Sequence, residues 1–222
     1  ELLPTLPLVR TVFVIGAVTD ELRDAVAALP GGSQVTIASF ADAESLPKER
    51  DFEQRTGDEL YLLYTGGTTG YPKGVMWRHD DFFRKPLSGG NPYGDDRKDL
   101  DEIASAVKDF PSMAFMLAAP LMHGAASYSL FTFFTLGGRL VIMREFNPEK
   151  MVTCIADEQV QLVLIVGDAM GMPLVEELER RKDEVDLSSL FSITSGGAIW
   201  SQHVRDRMLA VKPGLLLRDN FG

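Results

Sequence analysis

The sequence predicts an α/β fold built of mostly parallel sheets flanked by helices, and three observations carry that reading. Short β-branched and apolar runs alternate with segments of helical period along the chain, the order expected of βα units. Several of the short runs hold too few polar residues for a strand with one wet face, which fits burial on both sides. One run, Leu60 to Tyr64, leads straight into a loop of glycines and threonines. At 222 residues the chain is long enough for a sizeable core, in one large domain or two small ones.

In chain order, a strand from Thr11 to Ile15, a helix from Asp20 to Ala28 and a strand from Gln34 to Ile37 form a first αβ region. The polar, charged stretch from Leu46 to Gly57 is the best candidate for a subdomain seam. A strand from Glu59 to Tyr64 and a helix from His79 to Lys85 follow. The stretch from Ser88 to Arg97 has turn residues and charges without an apolar period, so it reads as a long surface loop. Leu100, Ile103, Ala104 and Val107 then give a short amphipathic helix.

The second half alternates regularly. Strands are expected at Ser112 to Leu117, Arg139 to Met143, Leu162 to Val166, Phe191 to Thr194 and Leu215 to Arg218. Helices fit between them at Gly124 to Thr135, Pro148 to Glu158, Asp168 to Arg181 and Ser201 to Val211. Asn147 before Pro148 places a cap ahead of a first-turn proline, and Ser201 caps the last helix. Met172, Val175 and Leu178 make the buried stripe of the helix they share. Its run of Glu and Arg is a solvated face.

Composition narrows the function classes. A net charge of −10 with no basic stripe argues against a nucleic-acid partner. Cys154 is the single cysteine, so no intramolecular disulfide and no cysteine-built metal site can form, and a reducing, cytoplasmic setting is expected. No stretch reaches the ~18 apolar residues of a membrane span, though a peripheral membrane contact stays open. Neither His-Glu-x-x-His nor Gly-x-Ser-x-Gly occurs, and no metal ligands are assigned.

The loop Tyr64-Thr65-Gly66-Gly67-Thr68-Thr69-Gly70-Tyr71-Pro72-Lys73-Gly74 has the composition of a phosphate cradle. Its glycines let backbone N–H groups turn toward an anion, its hydroxyls add donors, and Lys73 brings a mobile positive charge. It is not the loop of a P-loop NTPase, because Lys73 is followed by Gly74 where that motif needs Ser or Thr. Nor do Gly66, Gly67, Gly70 and Gly74 fall into the Gly-x-Gly-x-x-Gly register of a dinucleotide site.

The loop instead resembles the signature of the adenylate-forming, AMP-binding superfamily, which contains acyl-CoA synthetases, peptide-synthetase adenylation domains and luciferases. Three further segments resemble that family's motifs, in its order: Ala119-Pro120-Leu121-Met122-His123-Gly124, Ser195-Gly196-Gly197-Ala198, and Asp219-Asn220-Phe221-Gly222. Glycine at Gly66, together with Gly74 to Arg78 and Val166 to Met170, is similar to actinobacterial acyl-CoA synthetases acting on fatty acids or steroid side-chain acids.

The resemblance implies ATP-dependent activation of a carboxylic acid to an acyl-adenylate and then to a coenzyme A thioester, with ATP, Mg2+ and coenzyme A as the small molecules used. It implies that Thr65, Gly66, Gly67, Thr68, Thr69, Gly70 and Lys73 cradle phosphates. His123 would stand between the carboxylate pocket and the nucleotide, with Lys73 and His123 the catalytic side chains. Gly196, Gly197 and Ala198 would flank adenine, and the motif Asp219, Asn220, Phe221, Gly222 would bring the ring that stacks on it. Without the resemblance His123 reads as a packed histidine and the 196–198 segment as a structural turn.

Family members continue beyond the equivalent of Gly222 with a magnesium-binding Glu, a ribose-binding Asp and a small domain carrying a catalytic lysine. The expectation is therefore that residues 1–222 are part of the large N-terminal AMP-binding domain and do not by themselves make thioester. The competing reading is a nucleotide-binding module without catalysis. Acyl substrate and oligomeric state are not legible.

Overall fold

The computed structural model describes residues 3–46, 53–65, 72–109 and 111–220. The chain divides into two compact units, Glu1–Gln54 and Arg55–Gly222.

The first unit opens with a 3-10 turn at Leu3–Thr5 and contains β1 (Thr11–Val14), α1 (Asp20–Ala27), a second 3-10 turn at Gly32–Gln34, β2 (Thr36–Ser39) and α2 (Phe40–Glu44). β1 and β2 pair in parallel, Thr11 opposite Thr36 and Val14 opposite Ser39. α1 is the crossover that a parallel pair requires. It starts where Thr19 Oγ1 accepts the Leu22 N–H at 3.3 Å, and α2 starts in a capping box, Ser39 and Asp42 each accepting from the other's side of the turn. α2 was not expected from the sequence, since five residues are too few to show a helical period.

The second unit begins with β3 (Leu60–Thr65) and β4 (Lys73–Arg78), followed by α3 (His79–Arg84), a 3-10 turn at Ser88–Gly90 and α4 (Leu100–Asp109). β3 and β4 are antiparallel, from Leu60 opposite Arg78 to Thr65 opposite Lys73. This corrects the expected layout, because the glycine and threonine loop is the connection of a hairpin and not a passage from strand to helix. Glycine at Gly74 and the absence of polar alternation through Val75, Met76 and Trp77 hid the strand.

The remainder alternates β5 (Ala114–Leu117), α5 (Gly124–Thr135), β6 (Arg139–Ile142), α6 (Pro148–Asp157), β7 (Leu162–Ile165), α7 (Gly167–Arg181), β8 (Ser192–Gly196), α8 (Gln202–Val211) and β9 (Leu216–Asn220). The five strands form one wholly parallel sheet in the order β6-β5-β7-β8-β9. Every expected strand and helix is present, with bounds moved by no more than two residues.

The sheet is covered on both faces. Met116, Val163, Ile165 and Ile193 pack with Met151 and Ile155 of α6, Leu174 and Leu178 of α7, and Val204 and Met208 of α8. On the other face Leu117 and Leu164 pack with Ala126 of α5. Adjacent residues Val163 and Leu164 thus serve opposite faces, which is why these strands read as unbroken apolar runs. Among the described residues no helix is long and apolar enough to cross a membrane.

Candidate functional site

All five strands of the large sheet point the same way, so the segments that leave their C-terminal ends share one edge, where open α/β sheets hold ligands. Three of the segments singled out in the sequence lie there: Ala119 to Gly124 after β5, Gly196 to Ala198 at the end of β8, and Asp219 and Asn220 at the end of β9. They are close together. A Cβ on Gly196 would lie 3.5 Å from the Asn220 carbonyl oxygen and 3.8 Å from Cβ of Ala125 in the first turn of α5. β8 and β9 are hydrogen-bonded neighbours with Gly196 opposite Asn220 and Ser195 opposite Asp219.

His123 is the N-cap of α5, in extended backbone, and its exposed side chain makes no cap bond. The first turn of α5 carries no carboxylate, leaving the positive end of the helix dipole uncompensated. Ser127 fixes the His123 backbone: its N–H and Oγ both donate to the His123 carbonyl oxygen, at 3.0 and 3.1 Å. Ser127 Oγ in turn accepts from the Tyr61 hydroxyl of β3 at 3.4 Å.

That last bond belongs to a larger junction between the hairpin and α5. Trp77 Nε1 of β4 donates to the Tyr128 hydroxyl at 3.1 Å. Phe82 of α3 stands 4.6 Å from the Tyr61 ring, 5.1 Å from Tyr128 and 5.9 Å from Phe131. Leu63 reaches the helix start, where a Cβ on Gly124 would lie 3.0 Å from Leu63 Cδ2. The hairpin therefore packs against the first turns of α5, next to His123. Lys73, exposed, opens β4 opposite Thr65. Gly66, Gly67, Thr68, Thr69 and Gly70, the side chain of Thr65, and Phe221 and Gly222 lie outside the described residues.

Gly197 and Ala198 form an exposed ledge where the chain leaves the buried Gly196 at the end of β8. Gly197 has φ of +84° with open space where a Cβ would be, and the following Ile199 is 85% exposed. The ledge is anchored from below by the start of α7. The Gly167 N–H donates to the buried Ser195 Oγ at 2.9 Å, the Asp168 N–H donates to the Ile199 carbonyl at 2.9 Å, and Asp168 Oδ1 accepts the Ser201 N–H at 2.8 Å. Asp219 is held laterally, its Oδ2 accepting from Arg205 Nη1 at 3.3 Å while the same nitrogen donates to the Trp200 carbonyl at 2.9 Å.

The sequence reading placed Ser195 in the 195–198 motif and Gly167 and Asp168 in the Val166 to Met170 resemblance, but gave none of them this anchoring role. An Asp in the first turn of an expected helix was the one available signal, and it does not say which loop the carboxylate holds. Among the described residues no group of three or more His, Cys, Asp or Glu is placed to hold a metal ion. Cys154 lies on α6, where burial pushes its thiol above the ordinary value, which leaves it protonated and a poor nucleophile near neutral pH.

Comparison with known proteins agrees with this architecture. A model of the AMP-binding enzyme family matches residues 9–222. The 3-oxocholest-4-en-26-oate–CoA ligase of Rhodococcus rhodochrous is 38% identical over 228 residues, covering 100% of this chain and 40% of that protein. A medium/long-chain-fatty-acid–CoA/3-oxocholest-4-en-26-oate–CoA ligase of Mycobacterium tuberculosis is 37% identical over 226 residues, covering 100% and 39%. Among solved structures, the N-terminal domain of FACL13 from Mycobacterium tuberculosis superposes with a TM-score of 0.67 at 19% identity, covering 96% of this chain and 50% of the other. A Mycobacterium tuberculosis fatty acyl CoA synthetase gives 0.65 at 21% identity, covering 94% and 38%. The chain spans about 40% of the length of the curated relatives it matches.

Proposed function

This chain belongs to the AMP-binding enzyme family, and on that premise we propose that the protein activates a carboxylic acid, either a steroid side-chain acid or a medium- to long-chain fatty acid, for transfer to coenzyme A. The observation that carries the proposal is identity of 35–38% across the whole chain to ligases named for those acids. The convergence of the hairpin, the start of α5 and the ends of β8 and β9 on one sheet edge supports it.

In the proposed reaction a carboxylate oxygen attacks the α-phosphorus of ATP, pyrophosphate leaves, and the acyl-adenylate forms. The thiol of coenzyme A then attacks the acyl carbonyl, AMP departs with the electron pair of the broken C–O bond, and the thiol proton is released. The chain's part in the first step is positioning and charge stabilisation. Backbone N–H groups of Gly66, Gly67 and Gly70, hydroxyls of Thr65, Thr68 and Thr69, and the Lys73 ammonium hold the β- and γ-phosphates. His123 separates the carboxylate from the nucleotide at the mouth of the acid pocket. Gly196, Gly197 and Ala198 lie against adenine, and Phe221, within the segment from Asp219 to Gly222, stacks on it. Magnesium, when bound, would supply counter-charge to the ATP phosphates. The described residues offer no cluster that would bind it, so no step is assigned to it.

The test uses the complete gene product with a panel of fatty and steroidal acids, following acid-dependent ATP–pyrophosphate exchange and acyl-CoA by mass spectrometry. Exchange with no acid in the panel would refute the proposal. Lys73→Ala is expected to lower kcat for exchange by about 100-fold, the cost of removing one preorganised transition-state donor, with little change in KM for the acid. An unchanged kcat would remove Lys73 from the chemistry.

A further inference from the structure

The ledge and the end of β9 are tied together by a side chain that belongs to none of the motif segments. β8 ends at Gly196, which is paired with Asn220. At Gly197, with φ of +84°, the chain leaves the strand, so strand pairing no longer sets the spacing between the ledge and β9. Arg205, near the start of α8, reaches both sides. Its Nη1 donates to the Trp200 carbonyl, two residues beyond the ledge, at 2.9 Å and to Asp219 Oδ2 at 3.3 Å. Its Nη2 donates to Gln202 Oε1 at 2.8 Å, and its Cζ stands 5.9 Å from the centre of the Trp200 ring, within cation–π range.

Arg205 projects from a fixed base. Val204 and Met208 on either side of it, and Trp200 before the helix, are buried in the main core. The helix start is held by Ser201, whose Oγ accepts the Val204 N–H and whose own N–H donates to Asp168. On β9, Leu215 and Leu217 pack into the same core, and Asp219 continues their face at the strand's period of two. A carboxylate that ends an apolar row needs a partner, and Arg205 supplies it. The two side chains are 27% and 41% exposed, so as a salt bridge the pair adds little to stability. What the planar, forked guanidinium contributes is geometry, because one rigid group meets acceptors on two separate segments.

We propose that Arg205 is a positioning residue of the nucleotide site. It holds the ledge and the end of β9 at the spacing that receives adenine, and it offsets the charge that Asp219 would otherwise present to an anionic nucleotide. The inference rests on the proposed acid activation and deepens it. Arg205 acts through the Trp200 carbonyl and the Asp219 carboxylate, without touching the reacting atoms, so its loss weakens use of ATP and leaves use of the acid alone.

The test uses the complete gene product and calorimetric titration with ATP. Arg205→Gln is expected to raise Kd for ATP by about tenfold in the parent and by no more than about threefold in an Asp219→Asn background, where no carboxylate is left to offset. An equal cost in both backgrounds, or an unchanged Kd in the parent, overturns the proposal. Arg205→Lys keeps the charge and loses the fork, so it is expected to recover part of the affinity, and it carries the test if Arg205→Gln does not fold. In hydrogen–deuterium exchange without nucleotide, Arg205→Lys is expected to speed the amides of residues 197–200 and 216–220 and to leave those of α6 and α7 unchanged. Unchanged exchange in both segments overturns the bridging role. In ATP–pyrophosphate exchange the KM for ATP is expected to rise while the KM for the acid stays, and an equal rise in both would mark a general loosening and overturn the assignment. If no acid supports exchange, the proposed acid activation fails, while the ATP titration and the amide exchange still decide the role of Arg205.

Discussion

At the scale of single residues, Gly167 is the position where backbone conformation and packing both exclude a side chain. Its φ is +52°, and a Cβ there would lie 2.5 Å from the Ile199 carbonyl oxygen and 2.8 Å from Ala198 Cβ. Gly167→Ala must strain the backbone or push the ledge away from the start of α7. A loss of about 1–3 kcal/mol in stability is expected, measured by chemical denaturation. A variant as stable as the parent would show that the ledge moves freely and is not anchored by Gly167 and Asp168. This anchoring was the part of the site that the sequence did not disclose. Gly196, Gly197 and Ala198 were legible as a motif, but the bonds that hold them join residues 28 and 33 positions apart, and no local pattern encodes such a pairing. His123 was legible as a residue to single out. Its place as the N-cap of α5, pinned through Ser127 to Tyr61, needed the fold.

At the scale of elements, the parallel strands were legible because burial on both faces leaves an unbroken apolar run, and the helices between them because caps such as Asn147 and Ser201 act locally, each accepting the N–H three residues on. β4 escaped for the opposite reason. It is a strand of a two-stranded hairpin, and Leu62, Tyr64 and Met76 remain exposed, so neither alternation nor a continuous apolar run marks it. What fixes the hairpin is its junction with α5, where the Trp77 to Tyr128 hydrogen bond and the Phe82 ring cluster meet. Tyr128→Phe keeps the rings and removes the acceptor of Trp77 Nε1. A loss of about 1 kcal/mol is expected, with faster amide exchange in β3 and β4 than in β5 to β9, read by hydrogen–deuterium exchange. Uniformly unchanged exchange would mean that the rings alone hold the hairpin. The junction also sets the ends of the two strands, Thr65 and Lys73, relative to His123.

At the scale of the whole molecule, the two units differ in how much apolar surface they remove from water. In Arg55–Gly222 the sheet is covered on both faces, and residues such as Met116, Ile155, Leu174 and Ile193 are essentially inaccessible. In Glu1–Gln54 Ile37 is the one buried apolar side chain among the described residues, while Phe13 and Phe40 stay 44% and 46% exposed. Since apolar burial is the main term opposing chain entropy, and a segment of this size is marginal by itself, the smaller unit is expected to unfold first. The tryptophans make this observable, because Trp77 and Trp200 are the two in the chain and both belong to the larger unit. In a urea titration, far-UV circular dichroism reports helices of both units and tryptophan fluorescence reports only the larger one. The dichroism is therefore expected to lose part of its amplitude, corresponding to α1 and α2, at urea concentrations where fluorescence is still native. Coincident transitions would show that the 222 residues unfold as one cooperative body, and the difference in burial would then not govern their order of unfolding.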